Sequence, residues 1–194
     1  MLEKIGLSPG STIYTGHIES AKPLVTITTY DAQEVHSQEY TTIEQVKHAY
    51  SKIPPQTKAW IHIEPISDEN AIAQLCALFQ LHPLVAEDIL SVSHRPKVDE
   101  YDAYLFVVTK YAFYEENQLN FYQVSFILQE NRVICFADKS PDRFSAIKKR
   151  LEKPDSRGKR VGSPYLLFAL LDLIVDNYFL VLENISEEIE ALEN

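Results

Sequence analysis

At 194 residues, 45% of them hydrophobic and 24% charged, the chain has the balance of an ordinary folded domain with room for a sizeable core. Its net charge of −10 excludes general nucleic-acid binding, which needs a basic surface, and suits a cationic partner. Its five glycines, Gly6, Gly10, Gly16, Gly158 and Gly162, are too scattered to cradle a phosphate, G-x-S-x-G and H-E-x-x-H are absent, and no enzymatic activity is expected.

Met1 to Gly10 lacks the basic start and apolar stretch of an export signal, so the cytosol is the expected compartment. Residues 11–30 alternate and are rich in Thr, Ile, Val and Tyr, which predicts two strands. Residues 42–53 place Ile43, Val46, Ala49, Tyr50 and Ile53 at helical spacing. A short strand over Ala59–Ile63 precedes Pro65. Asp68 can cap a helix whose apolar face is Ile72, Leu75, Cys76 and Phe79. A third short helix follows, with His82 as its cap and Pro83 in its first turn, and Pro96 ends it.

Residues 98–138 read as a β meander, with strands at Tyr104–Tyr114, Leu119–Gln129 and Val133–Ala137 and turns at 115–118 and 130–131. Leu105, Phe106, Val107 and Val108 are apolar at adjacent positions, the mark of a sheet covered on both faces. The expected fold is therefore an α/β/α layered domain, with a mixed β-sheet between helices, over residues 1–162. Cys76 and Cys135, each in an apolar run and without a C-x-x-C pair, read as buried thiols. Asp142–Lys153 is expected to be a polar helix and 154–162 a basic loop.

A long helix occupies 163–194. Leu166–Leu182 is apolar enough to raise a membrane span, but Asp172, Asp176 and Asn177 argue for packing on the sheet, since each aspartate at a bilayer centre costs about 2.5–3.5 kcal/mol. Leu182, Ile185, Ile189 and Leu192 form a short heptad seam with no Gly or Pro stop, which reads as a helix continuing in a longer parent protein. From Pro164 onward there are seven acids and no Lys or Arg, with like-charge pairs Asp172/Asp176 and Glu183/Glu187 at i,i+4. Two compensations are open: the eight Lys/Arg of Arg143–Arg160, or a divalent cation. That basic stretch itself reads as a solvated helix and loop, with anionic lipid headgroups as the functional alternative.

On the third helix Val85, Ile89 and Val92 form an inward stripe, which leaves Glu87 and Asp88 near the exposed edge. Adjacent carboxylates suit magnesium, a hard cation that takes oxygen ligands and keeps several waters. From the residues alone a solvated acidic turn is the simpler reading. His82 and His94 fit a cap and a helix end better than a metal ligand.

The run HPLVAEDIL from His82, followed by HRPKVDEYDAYLFVV from His94, resembles the CorA magnesium transport family. So do Ser163-Pro164-Tyr165-Leu166-Leu167-Phe168 with the following Ala-Leu-Leu-Asp-Leu-Ile-Val-Asp-Asn-Tyr, and Leu7-Ser8-Pro9-Gly10 with Tyr14-Thr15-Gly16. The matches are colinear over nearly the whole chain. The resemblance implies the cytosolic domain of a homopentameric magnesium, and in some members cobalt, channel-like transporter. It sits on the cytoplasmic side of the cell membrane, and residues 163–194 lead to a stalk and membrane helices that this chain lacks, as it lacks the family's Gly-Met-Asn pore motif. It also implies regulatory Mg2+ at subunit interfaces, with Glu87, Asp88 and Asp172 as ligands, Asp176 as a nearby acid, and the partner carboxylate for Asp88 lying beyond Asn194. Asp99 stands where many relatives have Glu. A related zinc transporter's cytosolic domain and a stand-alone soluble metal-binding or scaffold domain are the rival readings.

Overall fold

The computed structural model describes residues 12–17, 20–115, 118–138, 144–153 and 156–193. Seven strands, β1 (Leu24–Tyr30), β2 (Val35–Tyr40), β3 (Lys58–Glu64), β4 (Lys97–Tyr101), β5 (Tyr104–Glu115), β6 (Gln118–Gln129) and β7 (Arg132–Ala137), form one sheet in the order β2-β1-β3-β7-β6-β5-β4. Strands β3 and β7 pair parallel, with Ile61 opposite Ile134, and all other neighbours are antiparallel, so the sheet is mixed. Helices α1 (Ile43–Ser51), α2 (Glu69–Leu78) and α3 (Pro83–Leu90) cover one face. The other carries α4 (Ser145–Glu152) and α6 (Ser163–Glu193), with α5 (Arg157–Val161) between them in the chain. This is the layered α/β/α arrangement expected from the apolar runs.

The reason is visible along each central strand. Ile61, Ile63, Phe106, Val108, Ile134 and Phe136 enter the core under α1–α3. Their neighbours Trp60, Val107, Val133 and Cys135 enter the core under α4 and α6. Successive side chains of a strand point to opposite faces, so an uninterrupted apolar run requires cover on both.

Local chemistry sets the helix starts. The Asp68 carboxylate accepts from the Ala71 amide at 3.0 Å, and His82 Nδ1 accepts from the Leu84 amide at 3.2 Å with Pro83 in the first turn. Both thiols are buried, and burial pushes that of Cys76 up to about 12.

Some expectations require correction. Among the described residues of 11–30 there is one strand, β1. Its hairpin partner is β2, in a segment not expected to be a strand. β2 is a sheet edge, mostly exposed, so its sequence VHSQEY lacks the apolar pattern of a buried strand. The turn is set by Asp31, whose carboxylate accepts from the Gln33 and Glu34 amides at 2.8 Å each. The third helix ends at Leu90, where Ser91 leaves helical geometry with ψ 82°, well before Pro96, and β4 is an additional edge strand at the start of the meander. The polar helix begins at Ser145, and residues 142–143 lie outside the described ones. The basic loop contains α5, which ends at Gly162 with φ +96°, a conformation that favours glycine.

By length and hydropathy α6 could cross a bilayer. Its first half instead packs on the sheet through Leu166, Leu167, Ala169, Leu170 and Ile174. Asn177 Oδ1 accepts from the Tyr111 hydroxyl at 3.0 Å, and the Tyr178 hydroxyl donates to the Lys110 carbonyl at 2.6 Å. These bonds fasten the middle of α6 to β5.

Phe126 on β6 is fully buried against Phe144. Phe126→Ala is expected to cost about 3–5 kcal/mol and Asp68→Ala about 1 kcal/mol, read as shifts of the urea unfolding midpoint.

Candidate functional site

The acid pair on α3 and the acid pair on α6 lie on opposite faces of the sheet. Val85, Ala86, Ile89 and Leu90 bury α3 in the core beneath it, which turns Glu87 and Asp88 toward the helix flank, both half-buried. Asp172 and Asp176 are on α6 and exposed. A single chain therefore does not bring the two pairs together. Among the described residues no cluster of three or more His, Cys, Asp or Glu is placed to hold a metal.

Asp88 is more engaged than its place near the edge of the helix suggested. Its Oδ1 is 2.9 Å from His94 Nε2, its Oδ2 is 2.7 Å from Lys97 Nζ, and its side chain is 16% exposed. Lys97 also reaches Asp99 Oδ2 at 2.7 Å. Burial lowers the pKa of the Lys97 ammonium, but its bonds to Asp88 and Asp99 outweigh that effect and hold it above the ordinary lysine value. His82 caps α3 and stacks on Tyr101, as a structural residue would.

The helix bearing Asp88 is tightly held. Gln123 Nε2 on β6 donates to the carbonyls of Asp88 and Ile89 at 3.0 and 3.1 Å. The Thr15 amide donates to the Leu90 carbonyl, and Thr15 Oγ1 accepts from the Val92 amide, both at 3.1 Å. The Tyr14-Thr15-Gly16 motif thus pins the end of α3. A Cβ at Gly16 would overlap the Tyr14 ring.

Sequence reasoning missed Lys97 and His94 as partners of Asp88. The only signal was the i,i+2 spacing of Lys97 and Asp99, which puts both on one face of a strand. It also missed a half-buried cluster in which the Tyr14 hydroxyl bonds Asp138 and the Lys110 ammonium bonds the Val92 carbonyl. Burial raises the Asp138 pKa despite the Tyr14 bond, and burial lowers that of Lys110.

The α6 helix carries a second feature. Phe168, Val175, Leu182 and Ile189 recur every seven residues, Phe179 lies between them, and each is at least half exposed. Asp172 falls in the same stripe, four residues after Phe168. Among the described residues the seam expected from Leu182, Ile185, Ile189 and Leu192 has no partner helix; Leu182, Ile189 and Leu192 are exposed. Among the described residues no ion pair joins Asp172 or Asp176 to the basic stretch. Of the two compensations open for these acids, the intramolecular one is not formed among the described residues.

The family model described as CorA-like Mg2+ transporter protein matches residues 55–194. The chain belongs to the CorA family. It is 35% identical over 192 residues to the cobalt/magnesium transport protein CorA of Thermotoga maritima, covering 98% of this chain and 54% of that protein. The chain thus spans about half the length of this curated relative. The soluble domain of CorA from Methanocaldococcus jannaschii superposes with a TM-score of 0.62 at 18% identity, over 86% of this chain and 62% of that one. The cytoplasmic domain of ZntB from Vibrio parahaemolyticus superposes with a TM-score of 0.58 at 17% identity, over 86% and 64%. At such identities the structural likeness establishes the fold, and the CorA fold alone does not choose the cation.

The raised Asp138 pKa has a defined sign. The folded state holds that proton more tightly than the unfolded chain, so the contribution of Asp138 is most favourable below its ordinary value and is lost as pH rises through the folded one. Asp138→Asn keeps an acceptor for Tyr14. Its stability relative to the parent is expected to improve between pH 3 and pH 7, measured by urea unfolding at both.

Proposed function

We propose that this chain is the cation-sensing cytosolic domain of a CorA-type magnesium transporter, with residues 1–162 as the layered domain and 163–194 as the helix leading toward a stalk and membrane segment. It would sit on the cytoplasmic side of the cell membrane in a homopentamer. Regulatory Mg2+ bound between subunits at Glu87, Asp88, Asp172 and Asp176 would favour the closed state, with Co2+ as a further cation of the same class.

The observation that carries this reading is the placement of Asp172 inside the exposed apolar stripe of α6. A contiguous apolar patch asks for a protein partner, and a second copy supplies a matching surface. Covering that stripe brings carboxylates of different copies into proximity, where they repel unless a cation lies between them. The donors fit magnesium, since Asp172 and Asp176 present exposed carboxylates and can leave water on the ion. Loss of the ion restores repulsion and shifts the copies. Magnesium therefore acts through its differential affinity for the closed assembly. The name of the Thermotoga maritima relative, a cobalt/magnesium transport protein, supports the same cation class.

The second reading is a zinc-handling relative built on the same fold. Zinc sites favour His and Cys ligands, whereas here both thiols are buried, His82 caps a helix and His94 bonds Asp88.

Thermal unfolding with Mg2+, Ca2+ or Zn2+ tests the reading. At ten times Kd a ligand adds about 1.4 kcal/mol, which in a chain of this size raises Tm by about 3–6 °C. The Mg2+ shift is expected to disappear in Asp88→Ala/Asp172→Ala and to accompany association in sedimentation velocity. Equal shifts in parent and variant would remove these residues from the site, and a larger Zn2+ shift would favour the second reading.

A further inference from the structure

Lys97 bridges two carboxylates. Its Nζ is 2.7 Å from Asp88 Oδ2 and 2.7 Å from Asp99 Oδ2, and it passes 5.6 Å from the centroid of the Phe106 ring. The remaining Asp88 oxygen faces His94 Nε2 at 2.9 Å. Both oxygens of that carboxylate are therefore engaged by the chain's own donors.

This is not a loose surface pair. Asp88 comes from α3, whose carbonyls are held by Gln123 and Thr15. Lys97 and Asp99 come from β4, paired along its length with β5, where Lys97 is opposite Val108 and Asp99 opposite Phe106. Two separately anchored elements meet through one ammonium. With Lys97 removed, Asp88 and Asp99 would face each other as like charges. A divalent cation and the ammonium cannot both occupy Asp88 Oδ2, because they repel and compete for one oxygen.

We propose that Lys97 is a built-in counter-ion of the cation site: it pairs with Asp88, exchanges with the incoming divalent ion, and so sets the concentration at which the site fills. The inference rests on Asp88 being a cation ligand. Binding is then a competition, and the apparent affinity is the intrinsic affinity reduced by the fraction of molecules in which Lys97 holds the carboxylate. The exchange has a second consequence. It leaves Lys97 with Asp99 on β4 and breaks the ion pair that joins this edge strand to α3, so filling the site is felt at the sheet edge as well as at the carboxylate. A site without the lysine would be filled at lower Mg2+ and would respond less to changes at higher concentration.

The test is calorimetric Mg2+ titration of the parent, Lys97→Met and Asp88→Asn at an ionic strength held constant with NaCl. Methionine keeps the apolar stem beside Phe106, and Lys97→Gln serves as a second variant, each checked for folding by circular dichroism. Lys97→Met is expected to bind Mg2+ about five- to tenfold more tightly than the parent, the effect of removing one contact charge in a half-exposed setting, and Asp88→Asn to lose binding. Amine acylation read by peptide mass spectrometry adds an independent readout. Lys97 of the parent should react faster once Mg2+ is added, while exposed Lys149 on α4 should not change. Binding that is lost in Asp88→Asn yet unaltered in Lys97→Met, with constant Lys97 reactivity, overturns this inference and leaves Asp88 as a ligand. Unchanged binding in Asp88→Asn, or no binding in parent and Lys97→Met alike, overturns both.

Discussion

Strands β3, β5, β6 and β7 carry apolar side chains on both faces, and the need to cover both faces places everything else in the molecule. The parallel β3–β7 pair sits at the centre, where its residues alternate between the two cores. Short helices fill one side, and the first half of α6 fills the other. Because the sheet lies between them, α3 and α6 cannot meet within a copy. The carboxylates of Glu87 and Asp88 are thereby separated from those of Asp172 and Asp176, and a site using both sets needs more than one chain.

That separation gives the apolar stripe of α6 its meaning. A helix of 31 residues is longer than the sheet it packs on, and its outward face keeps Phe168, Val175, Phe179, Leu182 and Ile189 exposed. The same face carries Asp172. An apolar face interrupted by acid is a poor solvent surface and a good candidate for a contact whose strength depends on cations. Asp88 is built differently. It is held by Lys97 and His94 between two anchored elements, whereas Asp172 and Asp176 stand in solvent without ion pairs among the described residues. The two halves of the proposed site therefore start from different electrostatic states.

The helix starts were legible because caps act within one turn: Asp68, His82 and Pro83 each satisfy or tolerate the orphan amides beside them. The central strands were legible because runs such as Leu105–Val108 can only be buried on both faces. Edge strands β2 and β4 were not, since no residue of either is fully buried and their mostly polar sequences carry no apolar pattern. Helix α5 was missed because Lys and Arg dominate its five residues, and Lys159 is nevertheless buried, its carbonyl accepting from the Lys58 ammonium.

By itself the sequence determined the layered fold, the family, and which carboxylates are candidates, because these depend on periodicity, local capping and motifs read along the chain. Only the tertiary structure decided how those carboxylates stand. The distance between α3 and α6 is set by the sheet that separates them, and the hold of Lys97 on Asp88 by the packing of α3 beside β4. Contacts between elements arise from packing in space, and spacing along the chain does not encode them.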